Sequence, residues 1–326
     1  KQWFKDGTCR PAACQASMTP MPVPMPKRIV AQPSSDLTRA AVMQGVIFAL
    51  AAGFGFSLSF ALIKELGSDM PTQQVVFFRM AIGLIPLVPL LLRAPMGVLK
   101  TDRPFRHVGR IAAGLTSMSM IYWAITRMPL ADAAATQFTM PLFLTALSAP
   151  LLGELVGWRR ATATLLGFGG VIIMLSPSGT GFGNLDVAYL VALGAAFFYA
   201  LAAIAMRQLG STEPALRTTV YFTAVSAIIG GFACFFGWKT PTTHEWMLLI
   251  GTGLIGGVAQ YCLVAAYTKA PATIIAPFDY MQLIWTAALG FFIWQEMPAI
   301  NAFVGAVIVA AAGLYIFRRE AIRRRA

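Results

Sequence analysis

The sequence predicts an all-α integral membrane protein: ten transmembrane helices arranged as two inverted five-helix repeats. Three observations predict it. The 326 residues are 57% hydrophobic and only 12% charged, with a mean hydropathy of +0.69. Soluble domains carry about 25% charged residues, and half that share with positive hydropathy marks a polytopic membrane chain. Apolar runs of roughly 20 residues, the length a bilayer core requires, recur from Met43 onward. Finally, one long segment of the chain has an echo 142 residues later.

Residues 1–41 read as a disordered cytoplasmic tail, rich in Pro, Ser and charge and without the apolar core of a signal peptide. The chain begins with Lys, and Met18, Met21, Met25 and Met43 are candidate starts. The expected spans are 43–63, 73–92, 108–126, 131–151 and 160–176, then 185–206, 217–237, 246–267, 273–294 and 299–318. Breaks fall at Asp69-Met70-Pro71, Arg93-Ala94-Pro95, Ser176-Pro177-Ser178-Gly179 and Thr240-Pro241, where Pro and Gly interrupt helices. Residues 42–177 and 184–318 are the two expected repeats, and 319–326 a basic tail.

Orientation follows from Lys and Arg. With the N-terminus in the cytoplasm, fifteen basic residues fall on the inside and three, Lys64, Arg127 and Lys239, on the outside. Arg110 is counted here with the basic loop Arg93–Arg106. The positive-inside rule then places both termini in the cytoplasm. The same distribution, in short loops rather than on a folded basic face, argues against nucleic acid as a partner despite a net charge of +12. Cys9, Cys14, Cys234 and Cys262 show neither a disulfide framework nor metal spacing, and no cofactor is expected.

The repeat is read from Met128–Glu154 against Ala270–Glu296. Pro129 precedes Glu154, and Pro271 precedes Glu296, by 25 residues each. The offset divides ten spans into five and five. Five is odd, so the halves lie in opposite orientations, as in many secondary transporters with a site near the midplane.

"FFR" (Phe77–Arg79), the "AITRMPLADAAATQFTMPLF…LLGE" stretch and its echo "AAYTKAPATIIAPFDYMQLIW…FIWQE" together resemble the drug/metabolite transporter superfamily in its tandem EamA-domain form. The resemblance covers about residues 43–318. It implies a ten-helix inner-membrane carrier of small metabolites such as amino acids, amines, carboxylates, riboflavin-like or S-adenosylmethionine-like compounds. Many members carry Trp-Gly in the first span. This chain departs from that pattern with "GFGFS" (Gly53–Ser57).

Six residues are candidate substrate or ion contacts. Asp279 is a carboxylate inside the ninth span, two residues after Pro277, which removes a backbone donor. Intramembrane charges are costly and usually functional, so Asp279 is a candidate for protonation or cation binding, or else a hydrogen-bonded strut. Gln137 stands at the equivalent position of the first repeat. Arg79 could hold a substrate anion, snorkel to the interface or pair with Asp279. Tyr280, Trp285 and Trp123 could stack on a planar or cationic substrate, or simply pack. Glu154 and Glu296 read as caps or ion pairs, and the glycines of "GFGG" and "GTGLIGG" as close helix packing.

The expected partners are a small-molecule substrate and the lipid bilayer, with the chain as a monomer or homodimer. Proton coupling through Asp279 and plain exchange are both open. The competing reading is a membrane-embedded enzyme on a lipid-linked substrate. It needs clustered polar groups at a membrane face, and His107 and His244 are isolated in loops. A channel or receptor would need polar rings or a sensing domain, and neither is in the sequence.

Overall fold

The computed structural model describes residues 39–95, 97–101, 103–152, 158–174, 187–209, 213–269, 275, 278, 280–297 and 300–323. Among them there is helix and no strand. The helices are α1 (Arg39–Glu65), α2 (Thr72–Gly83), α3 (Val88–Leu92), α4 (Pro104–Ile125), α5 (Leu130–Gln137), α6 (Met140–Leu152) and α7 (Trp158–Met174). The second half contributes α8 (Val187–Leu209), α9 (Ala215–Ala233), α10 (Thr243–Lys269), α11 (Met281–Trp294) and α12 (Ile300–Arg323). Five segments are long and apolar enough to cross a bilayer: Ala40–Glu65, Thr72–Leu92, Val187–Met206, Leu216–Phe236 and Thr243–Ala266. Ala161–Ile173, Met281–Trp294 and Ile300–Ile316 are shorter apolar helices.

Two expected spans are not single helices. The run 73–92 is interrupted by a 3-10 turn at Ile85–Leu87, where Pro86 supplies no N–H. The run 131–151 breaks between α5 and α6. Pro141 cannot donate to the Gln137 carbonyl four residues back, so the ladder cannot continue past Gln137. The hydroxyls of Thr136 and Thr139 take up local carbonyls instead, donating to Ala133 O and Thr136 O, each at 2.7 Å. Backbone opened in this way is tolerated in a membrane where it lines a cavity.

The helices pair in a pattern that survives exchange of the halves. α1 packs on α10 while α4 packs on α8; α1 meets α11 while α6 meets α8; α7 pairs with α12 and α2 with α9. Loop attachments repeat too. Gln74, at the start of α2, bonds both ways to the backbone of Lys239 just before α10 (2.8 and 3.1 Å). At the start of α9, Arg217 donates to Val98 O and the Tyr221 hydroxyl to Leu99 O (2.8 Å), just before α4. Small residues close these interfaces, as the glycine runs predict. A Cβ at Gly170 of α7 would fall 2.8 Å from Ile308 Cγ2 of α12.

Side-chain bonds define two ends of the molecule. At one, Lys64 pairs with Glu296 and donates to Met128 O at 2.9 Å, while the Leu130 N–H donates to Glu296 Oε2 at 3.0 Å. At the other, His107 Nε2 meets Glu213 Oε2 at 2.8 Å, and Arg217 lies 3.5 Å from the same carboxylate. Burial alone would raise the Glu213 carboxyl. The hydrogen bonds from Thr101 and His107 and the nearby Arg217 charge outweigh it and hold that carboxyl below its ordinary value.

Candidate functional site

Between these ends lies a cavity of about 530 Å3, lined from both halves by α1, α2, α4, α5, α6, α8, α9, α10, α11 and α12. Its walls are mostly apolar, with Phe56, Phe60, Phe138 and Phe222 among them. Toward the Lys64 end, Ile63, Ile125 and Leu130 are essentially fully buried and are not among its lining residues. Along α4 the lining runs from Arg110 to Tyr122, about 18 Å at 1.5 Å per residue.

Arg79 reaches this cavity from α2 with 7% of its surface exposed. Its guanidinium lies against the α10 backbone at Gly256, where a Cβ would come within 2.4 Å of Cζ. Tyr122 of α4 lines the same cavity. Arg79 Nε has no hydrogen-bond partner, and no ion pair to Arg79 forms among the described residues.

Gln137 stands at the α5 break and lines the cavity, its buried Nε2 also without a partner. Tyr280 lines it too, its ring stacked on Phe138 at 4.7 Å and its hydroxyl against Gly313. Trp285 is not among the lining residues. It packs edge-on against Phe54 at 5.5 Å, and its buried Nε1 lacks a partner. Trp123 is also absent from the lining; Arg127 stacks over its ring at 4.2 Å. Asp279, Pro277 and Glu154 lie outside the described residues.

Two charged positions outside the six candidates are buried in helices. Arg110 does not belong to the loop. It lies in α4 with 9% exposure, over the Phe222 ring at 4.7 Å, with Nε and Nη1 unpartnered and Nη2 3.1 Å from Met206 Sδ. Asp132, in the first turn of α5, is 2% exposed and accepts a hydrogen bond from the Tyr189 hydroxyl of α8. Both fall inside expected spans, and that was the available signal: a charge within an apolar run. Glu296 is indeed a pair and a cap, but it caps α5 of the other half.

A helical membrane protein built from two repeated halves around a shared cavity has the architecture of a carrier. The chain matches the EamA-like transporter family over residues 43–176 and again over 186–318, and it belongs to that family. It is 30% identical over 278 residues to the S-adenosylmethionine uptake transporter of Rickettsia prowazekii (strain Madrid E), covering 85% of this chain and 94% of the relative. It is 30% identical over 277 residues to the pseudopaline exporter CntI of Pseudomonas aeruginosa (strain UCBPP-PA14), covering 85% and 96%. A riboflavin transporter of Rhizobium johnstonii is 30% identical over 283 residues, covering 86% and 93%. A solved crystal structure shares the fold with a TM-score of 0.59 at 19% identity, over 86% of this chain and 98% of that one. The protein is thus a multi-pass bacterial membrane transporter of small molecules and not an enzyme.

Proposed function

We propose that the protein is an inner-membrane secondary transporter that moves one small polar or charged metabolite through this cavity by alternating access. The observation that carries the reading is the cavity itself: both halves line it, and it holds polar groups within apolar walls. A site between two repeats is what rocking of one half against the other would expose in turn. Relatives named for uptake of S-adenosylmethionine, export of pseudopaline and transport of riboflavin support a polar metabolite and leave both directions open. The Lys and Arg distribution supports cytoplasmic termini, which makes the Lys64 end the outer one.

Proton coupling through Asp279 is part of the proposal, on the strength of a carboxylate one residue from the cavity-lining Tyr280. Purified protein in proteoliposomes tests both parts. The expected result is saturable uptake with counterflow, accelerated by a pH gradient in wild type and indifferent to it in Asp279→Asn. Flux without saturation or counterflow contradicts the carrier. Counterflow with the same pH response in both proteins contradicts the coupling alone.

A further inference from the structure

The polar lining of the cavity is unbalanced in a way that identifies the ligand. Its unpartnered buried polar atoms are donors: Arg79 Nε, Arg110 Nε and Nη1, and Gln137 Nε2. The hydroxyls of Ser59, Ser117 and Thr145 donate their protons to Thr252 O at 3.3 Å, Ala195 O at 2.7 Å and Pro141 O at 2.9 Å, so they supply no counter-charge to the guanidiniums. No Asp or Glu stands among the described lining residues. Arg79 and Arg110 are each about nine-tenths buried with no carboxylate paired to them among the described residues, an expensive arrangement, and a guanidinium's planar fork matches the two oxygens of a carboxylate or phosphate.

We propose that the cavity is a site for a small organic oxyanion. Its anionic group is seated on Arg79 beside Tyr122, Arg110 is a second station about 18 Å along α4, and its body lies against Phe60 and Phe138. Gly256 is the complement on the protein side: a Cβ there would come within 2.4 Å of the Arg79 guanidinium and displace it. The inference rests on the transport reading for its purpose but not for its test, because it is a claim about binding.

The test is thermal unfolding of the purified full chain with succinate, glutamate or inorganic phosphate, against spermidine and ribose. At least one oxyanion is expected to raise the melting temperature saturably. Its apparent affinity should fall about tenfold to a hundredfold in Arg79→Gln, the value of one charge-assisted hydrogen bond, and by much less in Arg110→Gln, whose station lies about 18 Å away along α4. Arg127→Gln, which removes an equal charge outside the cavity, should keep the wild-type response. If Arg79→Gln does not fold, Arg79→Lys, which keeps the charge but loses the planar fork, and Gln137→Ala carry the comparison. Stabilisation by spermidine or ribose alone, an oxyanion response unchanged in the variants, or no response to any oxyanion would each overturn the inference. An oxyanion that binds as expected but shows no counterflow in proteoliposomes would overturn the transport reading instead.

Discussion

Glu296→Ala should open the Lys64 end and cost more than an ordinary surface substitution. Glu296 joins three elements from both halves: Lys64 at the end of α1, the Leu130 N–H at the start of α5, and its own position after α11. The Lys64 and Glu296 side chains are 12% and 25% exposed. Exposed pairs are worth about 0.2–1 kcal/mol, and losing one partner of a buried pair costs about 3–5 kcal/mol. Lys64 keeps its bond to Met128 O and its place 5.4 Å from the Trp294 ring, so the lost pair belongs near the lower range, about 1–2 kcal/mol. Removing the acceptor at the first turn of α5 adds about 1 kcal/mol. The whole comes to about 2–3 kcal/mol, read as a melting-temperature fall of several degrees. The assay is denaturant unfolding of wild type, Lys64→Met, Glu296→Ala and the double variant. A coupling of about 1 kcal/mol is expected; additivity to within about 0.5 kcal/mol would refute the linkage.

Other perturbations follow the same geometry. Gly256→Ala places a Cβ on the Arg79 guanidinium, so it should cost about 1–3 kcal/mol of stability and abolish oxyanion-dependent stabilisation, read by calorimetry. Tyr189→Phe removes the hydroxyl that donates to buried Asp132, and unfolding should register a loss of about 1–3 kcal/mol. Glu213 has a depressed carboxyl, so its contribution is fully present above the unfolded value of 4.5 and lost as pH falls through the lower folded value. The acid limb of the stability profile should therefore be shallower in Glu213→Gln, and an identical limb in both proteins would contradict the assignment.

Helix, repeat and cavity-lining residues were not equally legible in the sequence. Runs of apolar residues announce helices because a bilayer forces backbone hydrogen bonds inside each segment. The break after Gln137 hides in such a run, because Thr136, Thr139 and Pro141 act through their hydroxyls and a missing N–H, not through polarity. Which face each helix turns inward depends on packing against the other half. Tyr122 and Trp123 are neighbours in sequence, yet one lines the cavity and the other stacks on Arg127; successive helical side chains point about 100° apart. Arg110 was grouped with loop charges because its helix begins at Pro104, within the same basic stretch. The Pro–Glu spacing did point to Glu296, but its partners Lys64 and Leu130 are brought to it only by folding.

The most direct measurement of the central claim, that solute crosses through this cavity, is to fill it. Ala203 lines the cavity from α8, while Ile228 on α9 is 72% exposed on the surface. Counterflow in proteoliposomes should vanish in Ala203→Trp and persist in Ile228→Trp, with both variants purified as folded protein. Equal counterflow in the two variants would contradict the account.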